Sequence, residues 1–374
     1  MALRRYTTFP AIASLYMWIR GPRRTMLALR LQRGIFVPNR FSNRLARQYN
    51  ALYTMQRVAR LFFPPDYSSF VSKFDTFLLD CDGSPFPFPH RTPLMFRTGV
   101  IWNADTLFPR VKETLSYLRS QGKQLIFVSN NSTKSRRAYA QKFENLGIPA
   151  SEDEIFGSSY SAAIYLSRVR NFPANKKVYV LGERGIEEEL KAEGINYVGG
   201  TDPNERIDFA RTDYDALGPN PEIGAVLCGL DQHISYKKLS KALVYLRQSP
   251  EVLFLATNLD STYPTHGNIF PGAGTTTTIP LEYASGRQAT NCGKPSKAMM
   301  NAIFARYQLD RERTCIVGDR LDTDIQFGID GNLGGTLLVL TGINQLEDCA
   351  RQGIYPDYVT NAFGDFAVLQ NGEY

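Results

Sequence analysis

Residues 74–83 read FDTFLLDCDG, and the rest of the predicted fold is built around this stretch. Residues 74–79 form a short apolar run, which is typical of a buried strand. Two acidic residues, Asp80 and Asp82, follow directly where that strand ends. Further along the chain, short apolar runs alternate with amphipathic stretches, which indicates an α/β protein with a mainly parallel sheet.

Apolar spacing predicts the individual elements of this α/β pattern. Helices are predicted at residues 109–121, 134–146, 186–192, 236–246 and 296–307. Strands are predicted at residues 74–79, 125–128, 178–181, 225–228, 253–256, 314–317 and 336–340.

Polar residues follow three of these strands at the point where each one ends. Residues 80–83 read DCDG, residues 128–132 read VSNNS, and residues 317–320 read VGDR. Ligands of an open parallel sheet bind outside the carboxyl ends of its strands. We therefore expect the three segments to line one crevice, which suits a phosphate group held on a hard divalent cation.

The residue types in this crevice match the steps of phosphoryl transfer. Asp80 can attack phosphorus as a nucleophile, and Asp82 can protonate the leaving oxygen and then activate a water. Asp319 adds a carboxylate for Mg²⁺, Ser129 can bind phosphate oxygens, and Lys294 supplies a positive charge. Each motif alone also fits a turn, a helix cap or a surface lysine, but their combination favours this chemistry.

Four ordered motifs carry a family resemblance: DCDG at 80–83, VSNNS at 128–132, GKP at 293–295 and GDRLDTD at 318–324. They resemble the motifs of haloacid dehalogenase (HAD) phosphatases with a large cap between the second and third motifs. The chain is most similar to the 4-nitrophenylphosphatase and phosphoglycolate phosphatase group. The resemblance implies a Rossmann-like core at residues 66–156 and 287–374, and an inserted α/β cap of the C2 type at residues 157–286.

The same resemblance implies a role for each motif residue. The metal ligands of the family correspond here to Asp80, the backbone carbonyl of Asp82, and Asp319, with Asp324 supporting the metal site from a second layer. The phosphate-binding residues correspond to Ser129, Asn130 and Lys294. Mg²⁺ is the implied cofactor.

The cap of this family dimerises and selects the leaving group, which implies a homodimer through residues 157–286. Candidates for substrate selection are His233, Asp260 and His266, although His233 fits an ordinary loop histidine equally well. The expected substrate is a small phosphomonoester such as 2-phosphoglycolate or 4-nitrophenyl phosphate.

Residues 84–99, SPFPFPHRTPLMFRTG, depart from the family pattern. The family runs from DCDG directly into a V-[IL]-W segment, and removing these residues would join Gly83 to Val100, Ile101 and Trp102. The insert is either a real loop or translated non-coding sequence, and its four prolines without periodicity favour the second explanation. We expect the insert to impair catalysis, since a shift near 1 Å can cost on the order of 10²-fold in rate.

The positive charge of the chain comes from its beginning. Residues 1–65 hold twelve arginines and no lysine or acid, so the formal charge of +7 leaves 7 − 12 = −5 for residues 66–374. This segment fits a mitochondrial targeting leader, a disordered tail or an upstream start, with a cytoplasmic enzyme as the main expectation. No nucleic-acid or membrane partner is expected, and five scattered cysteines fit reduced thiols.

The sequence thus predicts a magnesium-dependent phosphomonoester hydrolase. Two other functions stay open at this point. A phosphotransferase would pass the same aspartyl phosphate to an alcohol, and a non-catalytic binding protein would use the fold without turnover. The motif residues argue against the binding protein, and the insert argues for it.

Overall fold

The computed structural model describes residues 14–18, 26–30, 60–61, 64–83, 99–206, 214, 217–265 and 268–371. The chain divides into two compact units, Met1–Thr54 and Met55–Tyr374. In the first unit, Ser14–Trp18 (β1) pairs in antiparallel fashion with Met26–Arg30 (β2). The rest of that unit lies outside the described residues, so the predicted leader stays a prediction.

Among its described residues, the second unit contains four sheets. Their strands, in chain order, are Arg60–Leu61 (β3), Thr76–Asp80 (β4), Asp82–Gly83 (β5), Trp102–Asn103 (β6), Thr106–Leu107 (β7), Gln124–Ser129 (β8), Ile155–Gly157 (β9), Lys177–Leu181 (β10), Tyr197–Gly199 (β11), Ile223–Cys228 (β12), Leu253–Ala256 (β13), Thr262–Thr265 (β14), Asn268–Pro271 (β15), Thr290–Asn291 (β16), Thr314–Gly318 (β17), Gly335–Val339 (β18) and Tyr358–Thr360 (β19).

Helices connect most of these strands. In chain order the α-helices are Pro64–Lys73 (α1), Val111–Ser120 (α2), Arg136–Asn145 (α3), Ser158–Ile164 (α4), Arg184–Ala192 (α5), Tyr236–Gln248 (α6), Ile279–Ser285 (α7), Lys297–Arg306 (α8), Gln326–Asp330 (α9), Leu346–Gln352 (α10) and Val368–Asn371 (α11).

The largest sheet is parallel and has the strand order β3-β19-β18-β17-β4-β8-β9 among the described residues. The interior strand β4 is buried at all five positions, because helices cover both faces of the sheet. Phe77 and Leu79 pack into one hydrophobic cluster, and Leu78 packs into the cluster on the other face. This arrangement confirms the predicted α/β fold with a parallel sheet.

A second parallel sheet has the order β11-β10-β12-β13-β16 and also buries apolar clusters on two faces. It lies in the part of the sequence that was predicted to form the cap. The exact boundaries at residues 156/157 and 286/287 stay predictions, and β16 extends the second sheet to Asn291.

The predicted helices and strands are all present, and their ends either match or are shifted by one or two residues. The elements that the sequence reading missed include the short strands β9 and β19 and the hairpin of β14 and β15. Each of these has three or four residues, which is too short for apolar periodicity to identify. Among the described residues, none of the helices is long and apolar enough to span a bilayer.

Candidate active site

Parallel strands β4 and β17 bring the acidic residues of the first and fourth motifs together. Asp80 ends β4, and Asp319 follows the last residue of β17. One carboxylate oxygen from each of Asp80, Asp319 and Asp324 lies within 4.8 Å of the other two, and all three residues are buried. Lys294 Nζ lies 2.5 Å from Asp80 Oδ1 and 2.7 Å from Asp324 Oδ1. We call these four residues the acidic cluster.

Burial and mutual repulsion perturb the pKa values of the acidic cluster. Burial raises the pKa of Asp80 well above its usual range, with Lys294 opposing the shift and the other two acids adding to it. Burial and the neighbouring Asp324 raise the pKa of Asp319 to about 7. Burial alone would lower the pKa of Lys294, but Asp324 and Asp80 outweigh that effect and raise it.

The acidic cluster fits a divalent cation. Three buried carboxylates face one ammonium group, so the four groups have a net charge of −2 when all of them are ionised. Carboxylate oxygens are the ligands that Mg²⁺ prefers. Asp324 has fewer free oxygens than the others, because its Oδ2 accepts hydrogen bonds from the backbone N–H groups of Asp319 (3.2 Å) and Arg320 (3.1 Å). Asp80 and Asp319 are therefore the stronger candidates for metal ligands.

The second and third motifs are joined by Asn130. Its side-chain oxygen accepts a hydrogen bond from Lys294 N at 2.8 Å, and its Nδ2 donates to Lys294 O at 3.3 Å. Its backbone oxygen accepts bonds from Ser158 Oγ at 2.7 Å and from Asn258 Nδ2 at 2.9 Å. Asn130 thus fixes the loop that carries Lys294 beside the end of β8.

The carboxylate of Asp82 is surrounded by donors. Its Oδ1 accepts a hydrogen bond from Trp102 Nε1 at 3.0 Å, and its Oδ2 accepts bonds from Ser129 Oγ at 2.6 Å and from the Tyr139 hydroxyl. Lys142 Nζ lies 3.9 Å from Oδ1. Burial alone would raise the pKa of Asp82, but Lys142 and the three hydrogen bonds outweigh burial and lower it. These donors therefore favour the ionised form of Asp82.

Asp260 lies in the loop after cap strand β13 and faces the core. Burial raises its pKa, while the charges of Arg320 and Lys294 and a hydrogen bond from Asn130 oppose that shift. Its backbone N–H donates to Asn258 Oδ1 at 3.1 Å, which ties the loop to the core through Asn130. The structure thus brings this predicted cap residue next to Asn130 and Lys294, which are predicted to bind phosphate.

Of the two histidines that are predicted to select the substrate, only His233 lies among the described residues. His233 is exposed in the turn before α6, and its backbone N–H donates to Asp231 Oδ1 at 2.8 Å. The structure gives its imidazole no hydrogen bond to any of the described site residues. His266 lies outside the described residues, so its predicted role stays a prediction.

Sequence reasoning missed the groups that hold Asp82. Tyr139 and Lys142 lie three residues apart on α3, the helix that follows the second motif, and Trp102 lies in β6. Tyr139 and Trp102 are fully buried, and Lys142 Nζ lies 4.4 Å above the Trp102 ring. The sequence feature that could have identified Tyr139 and Lys142 is their i, i+3 spacing on the helix that begins beside the site.

Hydrogen bonds between the start of helix α3 and helix α5 connect the predicted cap to the core. Glu189 Oε1 accepts a hydrogen bond from Arg136 N at 2.5 Å, and its Oε2 accepts one from Arg136 Nε at 2.9 Å. Glu188 Oε2 accepts a bond from Ser135 Oγ at 2.5 Å. Both carboxylates thus lie at the positive N-terminal end of α3, where unpaired N–H groups favour anions.

The two ends of the insert meet beside the site. A Cβ atom added to Gly99 would lie only 2.6 Å from Gly83 Cα, so the two backbones are in contact. Gly99 has a φ of 125°, and its carbonyl oxygen accepts a bond from Thr341 Oγ1 at 2.7 Å. Asp82 and Gly83 also pair with Trp102 and Asn103. Residues 84–98 lie outside the described residues.

Comparisons with known proteins agree with this geometry. The family model described as haloacid dehalogenase-like hydrolase matches residues 97–196, and the HAD-hydrolase-like model matches residues 291–366. A 4-nitrophenylphosphatase of Schizosaccharomyces pombe is 46% identical over 310 residues, which are 82% of this chain and 98% of that protein. The chloroplastic phosphoglycolate phosphatase 1A of Arabidopsis thaliana is 39% identical over 79% of this chain and 77% of its own length.

Solved structures give the same result. A p-nitrophenyl phosphatase from Archaeoglobus fulgidus superposes with a TM-score of 0.63 at 30% identity, over 79% of this chain and 99% of that one. A glycerol phosphate phosphatase from Mycobacterium tuberculosis, solved in complex with magnesium, gives a TM-score of 0.60 at 26% identity, over 79% of this chain and 77% of that one. This chain therefore belongs to the haloacid dehalogenase-like phosphatases, in the group of 4-nitrophenylphosphatase and phosphoglycolate phosphatase.

Proposed function

We propose that this phosphatase is magnesium-dependent and acts through an aspartyl phosphate on Asp80. The observation that carries the proposal is the acidic cluster, in which Asp80 lies within 4.8 Å of two further carboxylates and 2.5 Å from Lys294. Asp80 and Asp319 would bind Mg²⁺ together with the backbone carbonyl of Asp82, and Asp324 would support the site. When bound, the cation neutralises the negative charges of nucleophile and phosphate, which otherwise repel each other.

The first half of the reaction transfers the phosphoryl group to the protein. A carboxylate oxygen of Asp80 attacks phosphorus, and the bond between phosphorus and the leaving oxygen breaks. Lys294, Asn130 and Ser129 hold the phosphate oxygens during this step. Asp82 enters this step protonated, with the proton that it takes from water in the second half of the previous cycle, and gives that proton to the leaving oxygen, so the product departs as an alcohol.

The second half returns the protein to its starting state. Asp82, now ionised, takes a proton from a water molecule, and the water oxygen attacks phosphorus. The bond between phosphorus and Asp80 then breaks, and inorganic phosphate leaves. The hydrogen bonds that Asp82 accepts from Ser129, Tyr139 and Trp102 favour its ionised form, which is the form that this half-reaction needs.

The proposed substrates are small phosphomonoesters, with 2-phosphoglycolate and 4-nitrophenyl phosphate first. Support comes from relatives that are named for activity on these two compounds. Asp260, next to Asn130 and Arg320, is the described cap residue best placed to contact the leaving group. A homodimer through the cap and roles for His233 and His266 in substrate selection belong to the same proposal.

The test is hydrolysis of 4-nitrophenyl phosphate by the purified chain, with Mg²⁺ and with EDTA, beside the Asp80→Asn variant. We expect turnover with Mg²⁺, its loss in EDTA, and a loss of at least about 10³-fold in Asp80→Asn, because the amide is a poor nucleophile. Turnover that persists in Asp80→Asn would contradict the aspartyl-phosphate mechanism. Adding an alcohol acceptor and measuring transferred phosphate separates a hydrolase from a phosphotransferase.

A further inference from the structure

The hydroxyl of Tyr139 is buried beside two residues of the proposed mechanism. Tyr139 is 1% exposed, and its hydroxyl is hydrogen-bonded to the carboxylate Oδ2 of Asp82 and, at 2.8 Å, to Ser129 Oγ. Ser129 Oγ also lies 2.6 Å from Asp82 Oδ2, and its single proton can be donated either to Asp82 or to the Tyr139 oxygen. One phenol thus bridges the proposed acid/base and a proposed phosphate-binding hydroxyl.

The rest of the Tyr139 side chain belongs to the hydrophobic core. Its ring lies in the same buried cluster as Trp102 and Phe143, and Trp102 packs edge-on against Phe143 with ring centroids 4.7 Å apart. A phenylalanine would fill this place equally well, because packing uses the ring and not the oxygen. The hydroxyl is therefore explained by its two polar partners.

Trp102 hydrogen-bonds the other carboxylate oxygen of Asp82. Its indole N–H donates to Asp82 Oδ1 at 3.0 Å, while Tyr139 acts on Oδ2. Both donors are fully buried in a packed core, so the two carboxylate oxygens are held in a defined plane. Ser129 alone, with a hydroxyl that rotates freely, would leave this orientation less well determined.

We propose that Tyr139 is a positioning residue that orients Asp82 for proton transfer to the leaving group and holds Ser129 at the phosphate. This proposal rests on the proposed function of Asp82 and Ser129. A misplaced Asp82 slows substrates whose leaving oxygen needs a proton. A misplaced Ser129 weakens the binding of phosphate itself.

The two roles are separated by the leaving group. Departing 4-nitrophenolate is stabilised by its ring and needs little help from an acid, whereas the alkoxide from 2-phosphoglycolate must be protonated. We expect Tyr139→Phe to lower kcat/KM for 2-phosphoglycolate by about 10²-fold, the lower range for general acid catalysis. For 4-nitrophenyl phosphate we expect a loss of about tenfold or less, which reflects the hydrogen bond to Ser129 alone.

Tyr179→Phe is the matched control. Tyr179 is also 1% exposed, and its hydroxyl donates to Glu205 Oε2 at 3.3 Å in the predicted cap. This variant loses a buried phenol–carboxylate bond away from the acidic cluster, so the ratio of the two kcat/KM values should not change. Thermal unfolding of both variants checks that their folds are equally intact.

A binding measurement gives a second readout that needs no turnover. Trp18 and Trp102 are the two tryptophans of the chain, so Trp18→Phe leaves Trp102 fluorescence as a reporter of the Asp82 site. In that background, inorganic phosphate with Mg²⁺ should bind about tenfold more weakly when Tyr139 is replaced by Phe.

The possible outcomes distinguish the two proposals. A parent chain with neither turnover nor phosphate binding contradicts the proposed function. If the parent chain is active and Tyr139→Phe slows both substrates by the same factor, the positioning role of Tyr139 is wrong while the proposed function stands. If the parent binds phosphate without turnover, equal phosphate affinity in Tyr139→Phe overturns the positioning role.

Discussion

Asp80 and Asp82 lie two residues apart at the end of one strand, yet their carboxylates have opposite surroundings. Asp80 lies among two other acids and one lysine, and its pKa is raised. Asp82 lies among hydroxyl, indole and ammonium donors, and its pKa is lowered. The first environment has three carboxylates for one ammonium group, and the second has its donors in place. The difference indicates where a cation is needed and where the protein supplies its own donors.

The largest expected effect comes from removing the single ammonium of the acidic cluster. Lys294→Met leaves three buried carboxylates without their cation, which should cost about 3–5 kcal/mol in the free energy of unfolding. We expect turnover of 4-nitrophenyl phosphate to fall by about 10²–10³-fold, because a positioned charge at the transferring group is lost. Steady-state kinetics and urea unfolding measure the two effects.

Lys238→Met is the control for Lys294→Met. Lys238 is fully buried and lies 2.7 Å from Asp231 Oδ2 in the predicted cap, so it also loses a buried Lys–Asp pair. This variant should be destabilised to a similar degree while keeping its turnover per folded molecule. Equal losses of turnover in both variants would mean that Lys294 acts through stability alone.

A smaller effect, in the opposite direction, is expected from removing the insert. Deleting residues 84–99 joins Gly83 to Val100 and restores the family pattern after Asp82. Because the acid/base turn is sensitive to shifts near 1 Å, we expect activity to rise, by up to about 10²-fold. A glycine–serine segment of the same length in place of residues 84–99 is the control and should give no such rise. Unchanged activity after the deletion would mean that the insert is a tolerated loop.

The smallest expected effect is the pH dependence of the free energy of unfolding when no metal is bound. The pKa of Asp319 rises from 3.8 to about 7 in the folded chain, so between these values the folded state binds protons that the unfolded state does not. Stability in EDTA should therefore fall as pH rises from about 4 to 7. The lowered pKa of Asp82 acts the other way, with stability lost as pH falls through the region below 3.8.

Thermal unfolding at pH 5 and pH 7.5 tests this prediction. In EDTA we expect the melting temperature to drop by on the order of a few degrees at the higher pH. With Mg²⁺ the drop should shrink, because ligand binding to the folded state stabilises it. A melting temperature in EDTA that is higher at pH 7.5 than at pH 5 would contradict the raised pKa of Asp319.

Much of the acidic cluster could be predicted from the sequence, because it depends on local rules. Asp80 and Asp319 follow apolar strands, and parallel strands carry their carboxyl ends to one edge, so their proximity follows from topology. The parallel α/β fold and the phosphatase class are confirmed by the structure and by the relatives. Lys294 required the order of motifs along the chain, since a lysine before a proline has no distinguishing local pattern.

The environment of Asp82 could not be predicted in the same way. Tyr139, Lys142 and Trp102 reach it from a helix and from a strand beyond the insert, and only tertiary packing aligns their donors. The hydrogen bonds of Glu188 and Glu189 to the start of α3 were missed for the same reason. Two adjacent glutamates on an amphipathic helix usually indicate a solvated face, whereas Glu189 is 2% exposed.

Because the backbones of Gly83 and Gly99 are in contact, the fold places few constraints on the length of the segment between them. A loop whose ends are already in contact adds mainly closure entropy, and that cost grows only with the logarithm of its length. Strands β4 and β8 on either side keep an uninterrupted parallel register. Segments of very different length are therefore compatible with the same sheet at this point. The architecture depends little on what lies between the two glycines, whereas we expect the chemistry at Asp82, one residue away, to be sensitive to it.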